Sequence, residues 1–319
     1  MVEQAEIVRD VVVVGGGAAG LSAALILARS RRRVTVVDAG ARRNAPAQAV
    51  HGLLALDGLS PLEVLERGRD EVTRYGGEII SAEVADVSCT SLGFAVMMRD
   101  GAVVHACRLL IATGLVDELP DIAGLRQRWG RDVLHCPYHH GWEVRDHAIG
   151  VLATGPMSVH QALLFRQLSN DVRYFTRDQD LSDQDRVKLQ ALGIAVIAGG
   201  VAGLEIVEDR LAGVRLDDDR VVPVETVAAA SRMVARAEVL AGIGITATQH
   251  PVGSFIAADE TGRTSVPGVW VAGNATDLAA QVGAAAADGA RAAAHLNADL
   301  VAEDTDRAVA RLTNAESLR

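Results

Sequence analysis

The chain has 319 residues, of which 49% are hydrophobic and 23% are charged, so it can bury a large core and is neither disordered nor fibrous. Its formal net charge of −10 would repel nucleic acid and anionic lipid, and no basic run compensates for it. Acidic residues among the first ten positions argue against a secretory signal, and we expect a cytoplasmic protein. The three cysteines are widely spaced, which argues against a disulfide framework.

The longest apolar run, residues 11–28, is interrupted by the sequence GGGAAG. These glycines predict a buried strand, a turn and the start of a helix rather than a membrane span. Aromatic residues make up only 3% of the chain, so the core must be built from Ala, Val, Leu and Ile. Such a core is typical of an α/β protein with a parallel sheet between helices.

Two βαβ patterns organise the predicted elements. The first βαβ unit is a strand at 11–14, a helix at 21–29 and a strand at 34–37; a helix at 61–75 and strands at 78–87, 94–99 and 103–110 follow it. The second βαβ unit is a strand at 148–153, a helix at 158–168 and a strand at 172–175; strands at 194–198, 203–207, 213–216, 221–224 and 268–271 and an Ala-rich helix at 279–301 complete the chain. This order predicts a doubly wound, Rossmann-like domain formed by residues 1–116 and 241–319, interrupted by a second one at 117–240. The charged tail beyond Glu303 predicts a solvated or partner-contacting helix.

The first βαβ unit carries a dinucleotide motif. Gly15-Gly16-Gly17-Ala18-Ala19-Gly20 follows the first strand and opens the helix, and Asp38 ends the next strand. Gly15 permits the tight turn, Gly17 lets a pyrophosphate approach the backbone, and Gly20 lets the helix pack on the strand. Asp38 can accept a hydrogen bond from a ribose hydroxyl, whereas a glycine-rich turn without a ligand would not need this acid. The motif therefore predicts dinucleotide binding.

Three further segments make the sequence resemble the low-molecular-weight thioredoxin-reductase-like FAD flavoproteins over nearly the whole chain. They are the strand that ends in Ala112-Thr113-Gly114, the segment CPYHHGWE at 136–143, and the strand that ends in Ala272-Gly273-Asn274. The resemblance implies two Rossmann-like domains and a homodimer. It also implies that the first βαβ unit holds the adenosine and pyrophosphate of FAD, with Thr113 and Gly114 near the cofactor.

The remaining FAD contacts are implied by the same resemblance. In the family an acid after the late glycine binds the ribityl chain, and Asn274 in this position would bind the ribityl hydroxyls. The backbone N–H groups of Gln281 and Val282, at the start of the last helix, would face the flavin pyrimidine edge, which gains negative charge on reduction. Asn44 is a further candidate for the isoalloxazine side.

The redox segment departs from the family pattern, which has a Cys-x-x-Cys pair here. This chain has Cys136 but His139 in place of the second cysteine, so no disulfide can form within the motif. We expect a thiol flanked by His135, His139 and His140 to have a lowered pKa and to react as a thiolate. His140 matches a family acid/base, and we expect it to transfer protons.

Other interpretations of this segment stay open. Cys136 and the histidines would also be compatible with zinc binding, although there is one cysteine and no second cluster at ligand spacing, so no metal site is predicted. The change to His139 would also fit an inactive descendant that only binds FAD. His140 would also fit a residue that only caps a turn. Cys89 and Cys107 lie on strand-like runs and are predicted to be small core residues.

The second βαβ unit carries an altered nucleotide motif. The family binds NADPH with GxGxxA and two basic residues after the next strand, whereas this chain has ATGPMS at 153–158 and then Arg177-Asp178. Pro156 removes a backbone donor and Asp178 would repel a 2′-phosphate, so we expect NADPH to bind weakly or not at all. In its altered NADPH motif and in the sequence of the segment CPYHHGWEVRD, the chain is similar to the gliotoxin- and holomycin-type dithiol oxidases, which use molecular oxygen.

We therefore expect an FAD-dependent thiol or dithiol oxidase that forms a disulfide in a small molecule of secondary metabolism and reduces oxygen to peroxide. The substrate thiolate would either reduce the flavin directly or form a mixed disulfide with Cys136. His139 and His140 would serve as base and acid. An NADPH-dependent disulfide reductase and a catalytically silent FAD-binding protein are the alternatives.

Overall fold

The computed structural model describes residues 8–317. Its helices are α1 (Ala18–Arg29), α2 (Pro61–Arg74), α3 (Leu125–Arg128), α4 (Pro137–His140), α5 (Ser158–Phe165), α6 (Asp183–Ala191) and α7 (Val282–Ser317). Its strands are β1 (Arg9–Val14), β2 (Val34–Asp38), β3 (Glu78–Ser81), β4 (Val84–Thr90), β5 (Gly93–Met98), β6 (Val103–Ile111), β7 (Leu115–Glu118), β8 (Val133–Leu134), β9 (Ile149–Leu152), β10 (Val172–Phe175), β11 (Ala195–Ile197), β12 (Val201–Val207), β13 (Arg210–Leu216), β14 (Val221–Pro223), β15 (Thr226–Ala228), β16 (Arg232–Ala235), β17 (Thr248–His250), β18 (Gly253–Phe255) and β19 (Val269–Val271).

The described residues form two compact units. The first unit comprises the chain up to Arg42, Leu62–Val116 and the chain from Val234 onward. The second unit comprises Arg43–Pro61 and Asp117–Met233. The domain limits expected from the sequence stay predictions, since contact-defined units do not test where folding domains begin and end.

The first unit is built on a sheet with strand order β3-β2-β1-β6-β5-β4, and β19 also pairs with β6. Strands β2, β1, β6 and β19 run parallel to one another. Alternate residues of β1 enter two different cores: Val11 and Val13 pack with α1 and α7, and Val12 and Val14 pack on the opposite face. Burial on both faces explains why β1 is a continuous run of valines.

The second unit has a five-stranded sheet with order β11-β10-β9-β15-β8. Its pairs are all parallel. Helix α5 covers one face through Ala162 and Phe165. The antiparallel sheet β12-β13-β14 covers the other face through Leu211, Val214 and Leu216. The α/β class with two Rossmann-like units predicted from the sequence is therefore confirmed.

Two predicted features differ from the structure. The last helix was expected at 279–301, but α7 begins at Val282 and continues to Ser317; the helix expected beyond Glu303 is present as its exposed extension over residues 304–315. Cys89 was expected in the core, but its side chain is exposed, whereas Cys107 is half-buried and packs against the first core. Cys89 shares a face of β4 with the buried Val87, but it is the second-last residue of the strand and is exposed there, beside the turn to β5.

Within residues 8–317, no helix is both long and apolar enough to cross a membrane. The prediction that no secretory signal is present concerns mainly residues 1–7, which lie outside the described residues.

Candidate active site

The first group of candidate residues lies where the parallel strands of the first unit end. Gly15 follows β1, Asp38 ends β2, Thr113 follows β6 and Gly273 follows β19. These strands are neighbours in the sheet, so the four predicted positions are brought together at one edge. Ligands of open α/β sheets bind at this carboxyl edge.

The glycines of the first loop are required by its geometry. Gly15 has φ +109°, and a Cβ there would lie 2.2 Å from the carbonyl oxygen of Ala112. A Cβ at Gly20 would lie 1.9 Å from the carbonyl oxygen of Gly15. Gly17 is different, because a Cβ there would meet no atom within 4 Å. The space over Gly17 is therefore open to a ligand, and no side chain caps the N-terminus of α1 at this residue.

Asp38 has a partner that the sequence did not reveal. Its Oδ2 accepts a hydrogen bond from Arg69 of α2 at 2.5 Å, and its Oδ1 accepts one from the N–H of Gly40 at 3.1 Å. These bonds hold the carboxylate in place while leaving lone pairs for a ribose hydroxyl. Arg69 was missed because α2 is separated from β2 by a long loop without periodicity.

The start of α7 completes this edge. Gly273 packs so closely on α1 that a Cβ there would lie 2.7 Å from the Cβ of Ala19. Asn274 donates its side-chain N–H groups to the carbonyl oxygens of Asp277 and Ala280, both at 2.9 Å. Asn274 therefore organises the turn before α7, and its Oδ1 is the atom left for a ligand.

Gln281 immediately precedes α7, and Val282 is its first residue. The N–H groups of a first helical turn have no partner within the helix.

Thr113 donates its hydroxyl to the carbonyl oxygen of Arg236 at 2.8 Å, and the carbonyl oxygen of Gly114 accepts the N–H of Arg236. Asn44 is the one cofactor candidate that belongs to the second unit.

The second nucleotide loop, between β9 and α5, uses its own donors. The hydroxyl of Ser158, which is 1% exposed, accepts the N–H groups of Thr154 at 3.0 Å and Gly155 at 3.1 Å. Pro156 has no N–H to offer. Two donors of this loop are therefore occupied and one is absent, although α5, like α1, has no side-chain cap.

Two carboxylates lie near the end of β10, where the family has its basic pair. A Cβ at Gly200 would lie 2.0 Å from Oδ2 of Asp217 and 2.8 Å from Oδ2 of Asp178. Arg177 donates to the carbonyl oxygen of Ala153 at 3.1 Å. A phosphate at this position would meet two negative charges and a guanidinium that already has a partner.

Cys136 immediately precedes the short helix α4 in the second unit. We expected a lowered pKa, and this expectation is wrong, because burial raises the pKa of the Cys136 thiol. The backbone N–H groups of Tyr138 and His139 and the charge of Arg43 act in the opposite direction but do not outweigh burial. The thiol is therefore the resting form at neutral pH.

The three neighbouring histidines do not offset the burial of the thiol. Burial, together with the neighbouring His140, His135 and Arg43, lowers the pKa of His139 to about 4. Burial also lowers the pKa of His140 and of His135. The imidazoles are therefore neutral at pH 7, so they cannot stabilise a thiolate by charge but can accept its proton.

An ion pair and a buried amide hold this segment in place. Arg43 binds Asp117 through two hydrogen bonds of 2.7 and 2.8 Å, and Ser231 donates to the same carboxylate at 2.6 Å. Gln161 of α5 donates to the carbonyl oxygen of His135 at 2.6 Å. Among the described residues, no group of three or more His, Cys, Asp or Glu side chains is arranged to hold a metal ion.

The family model for pyridine nucleotide-disulphide oxidoreductases matches residues 9–294. The chain belongs to this family. Its members are flavoproteins, and the chain is a thiol–disulfide oxidoreductase. The resemblance to thioredoxin-reductase-like flavoproteins is thereby confirmed.

Individual relatives agree with this assignment. The chain is 28% identical to thioredoxin reductase sirT of Leptosphaeria maculans over 92% of this chain and 95% of that protein. It is 31% identical to a probable thioredoxin reductase of Arthroderma benhamiae over 55% of this chain, but this match spans only 45% of that protein. The crystal structure of HlmI shares 47% identity with a TM-score of 0.91, and each chain is covered to 97%.

FAD fits the edge of the first unit. The open space over Gly17, the uncapped start of α1 and the fixed carboxylate of Asp38 match a pyrophosphate and a ribose. These residues would hold the adenosine half, and the start of α7 would face the flavin half.

Proposed function

We propose that this protein is an FAD-dependent thiol oxidase that forms a disulfide bond in a small molecule and uses molecular oxygen as the electron acceptor. The observation that carries the proposal is the second nucleotide loop, in which Ser158 accepts two of the N–H groups and Pro156 removes a third. In a thiol–disulfide oxidoreductase that binds NADPH weakly, the electrons would come from a thiol substrate instead. A small-molecule dithiol is such a donor.

The overall reaction is balanced without a nicotinamide. A dithiol and O₂ give a disulfide and H₂O₂: two S–H bonds break, one S–S bond forms, and two electrons and two protons are transferred. Bound FAD would accept the electron pair and deliver it to oxygen. The substrate thiolate would pass its electrons to bound FAD directly, or it would form a mixed disulfide with Cys136 as the electron pair passes to FAD. In the second case the other thiol of the substrate would displace Cys136 and leave the substrate disulfide, because Cys136 has no second cysteine in its motif to do so.

The residues around Cys136 supply proton transfer. His139 and His140 are neutral at pH 7 because burial lowers the pKa of each. A neutral imidazole can accept the proton of a thiol, which activates the sulfur as a nucleophile. The base role is therefore better supported than the acid role that the sequence suggested for one of the two histidines. A homodimer is part of this proposal by family resemblance, and the cytoplasmic location expected from the sequence stays a prediction.

The decisive experiment is anaerobic mixing of the yellow protein with NADPH and, separately, with dithiothreitol, followed by flavin absorbance. We expect dithiothreitol to bleach the flavin and NADPH to do so at least about 100-fold more slowly. Admission of oxygen should restore the colour and release one H₂O₂ per dithiol. Rapid bleaching by NADPH would instead identify a disulfide reductase, and no bleaching by either compound a silent flavoprotein.

Variants test the residues. Cys136→Ala and His139→Ala should each slow dithiol turnover by about 100-fold, the range of a lost base or nucleophile. The exposed His160 of α5 provides the control, and His160→Gln should keep the wild-type rate. Wild-type turnover in both site variants would contradict the assigned roles.

A further inference from the structure

The buried face of α5 carries two polar residues. Ser158, Gln161, Ala162 and Phe165 are its buried residues, at the spacing of one helix face. Ala162 and Phe165 pack in the core of the second unit, and Ser158 accepts N–H groups of the second nucleotide loop. Gln161 is directed instead to the redox segment.

Gln161 binds the peptide group that leads into Cys136. Its Nε2 donates to the carbonyl oxygen of His135 at 2.6 Å, and the nitrogen of the same peptide group belongs to Cys136. The sulfur is three bonds away from that nitrogen. The orientation of this peptide group, together with the φ of −132° at Cys136, therefore determines where the thiol is placed.

This peptide group connects two fixed elements. Strand β8 ends at Leu134, whose carbonyl oxygen accepts the N–H of Ala229 at 3.0 Å, and α4 begins at Pro137, whose carbonyl oxygen accepts the N–H of Gly141 at 2.8 Å. Pro137 has no N–H of its own to hold the connection. The amide of Gln161 holds it from the side of α5.

Packing alone does not account for a glutamine at this position. Gln161 is 8% exposed. Only its N–H can donate to a carbonyl, so Oε1 is the other end of the amide, and it is enclosed without a hydrogen-bond partner among the described residues. An enclosed acceptor without a partner lowers stability, whereas a methionine of similar length would fill the space without that oxygen. The bond to His135 is the interaction that only the glutamine provides.

We propose that Gln161 is a positioning residue that orients the Cys136 thiol for reaction through the carbonyl group of His135. A thiol with a defined orientation is what a mixed disulfide with the substrate requires. The inference rests on the proposed function for the role of Cys136 in turnover. The reactivity of the thiol itself is measurable without a substrate.

Two substitutions test the hydrogen bond. Gln161→Met removes it at similar side-chain length, and Gln161→Glu makes it depend on pH, because a protonated carboxyl group can donate to a carbonyl and a carboxylate cannot. Each protein is alkylated with iodoacetamide, whose iodide the thiolate displaces, from about pH 5 to about pH 9, a range that spans the ionisation of a buried glutamate. Peptide mass spectrometry follows Cys136, with the exposed Cys89 as internal reference.

In Gln161→Met, alkylation of Cys136 should slow about tenfold at every pH, while Cys89 reacts as in the wild type. In Gln161→Glu, the rate relative to the wild type should be close to one at low pH and fall as the side chain ionises. The exposed Gln167, two residues after α5, provides the matched control. Gln167→Glu should keep the wild-type rate across the range.

The outcomes separate positioning from packing and from the proposed function. Wild-type alkylation of Cys136 in both Gln161 variants would overturn the positioning role, and so would a loss in Gln161→Glu that is the same at every pH. Dithiol turnover should fall in the same order as alkylation. If alkylation responds as expected but the wild type oxidises no dithiol, the proposed function fails and the orientation of the thiol by Gln161 stands.

Discussion

The two strand–turn–helix loops of this molecule share a topology and differ in what their backbone donors do. Neither α1 nor α5 has a side-chain cap, but in the first unit the space over Gly17 is open. In the second unit, the hydroxyl of Ser158 occupies the N–H groups of Thr154 and Gly155. A Rossmann-like loop can therefore keep its fold when a side chain of the protein, rather than a phosphate, accepts hydrogen bonds from its N–H groups.

The acidic residues beside the two loops point to the same conclusion. Asp38 is a single carboxylate fixed by Arg69 and the backbone, which suits recognition of a ribose hydroxyl. In the second unit, Asp178 and Asp217 both lie close to Gly200, and two neighbouring carboxylates disfavour a phosphate. Counting free donors and nearby charges distinguishes a binding loop from a structural one, which counting glycines does not.

The largest expected effect is on FAD affinity, when one methyl group is added to the first loop and, as a comparison, to the second. Gly17→Ala should leave the fold intact, since its Cβ meets no protein atom, but should weaken FAD binding about 100-fold by blocking the approach of the pyrophosphate. Gly155→Ala is the counterpart in the second loop, where a Cβ would be 3.6 Å from that of Ala230. It should keep wild-type FAD affinity.

Titration of the apoproteins with FAD, followed by flavin fluorescence, gives both affinities, and thermal unfolding of the apoproteins checks the fold. Equal FAD affinity in Gly17→Ala and the wild type would show that the first loop does not contact the pyrophosphate.

The next effect concerns stability. Ser158→Ala should lower the free energy of unfolding by about 2 kcal/mol, because two N–H groups in a buried turn lose their acceptor. Urea denaturation measures this change. An unchanged midpoint would mean that water replaces the hydroxyl, and that these donors are as available as those of the first loop.

A smaller effect is expected from the charges at Gly200. The double variant Asp178→Asn and Asp217→Asn should strengthen NADPH binding by about fivefold, since removing two negative charges near a phosphate contributes on the order of 1 kcal/mol. Isothermal titration with NADPH, with NADH as the control that lacks the 2′-phosphate, measures it. An equal gain for both nucleotides would place the 2′-phosphate elsewhere.

The smallest expected effect is on the pH dependence of stability, and it concerns the redox segment rather than either loop. Because the pKa of His139 is lowered to about 4 in the folded protein and is about 6.5 when unfolded, the unfolded state binds more protons between these values. Stability is therefore lost as pH falls through this window. With discount for partial exposure, His139→Gln should lose about 1 kcal/mol less than the wild type between pH 7 and pH 4. Equal losses would contradict the buried, neutral imidazole.

The sequence predicted the fold wherever long apolar periodicity was present. The β1–α1–β2 unit and the parallel strands β9 and β10 agree with the structure because burial on both faces of a strand produces an unbroken apolar run. The strands β8 and β15 were missed, since two or three residues carry no period. Their positions are set by pairing with β9, which no local pattern encodes.

The candidate site was predictable in its motifs but not in its contacts. The glycines of the first loop and Cys136 were visible because a turn or a lone thiol stands out in the sequence. The roles of Arg69 and Ser158 were not, because each depends on a partner brought near by folding. The direction of the Cys136 pKa was also wrong, since burial cannot be read from the neighbouring residues.

The contact between α1 and α7 has a consequence for how the protein is made. Gly289 of α7 lies so close to α1 that a Cβ there would be 2.0 Å from the carbonyl oxygen of Ala19. The cofactor site of the first unit thus depends on the packing of α1, an early segment of the polypeptide, against α7, a late one. While the ribosome is still translating, the nascent chain lacks that packing, so we expect the protein to take up its flavin only after release, and truncation before Gly289 to yield a colourless product.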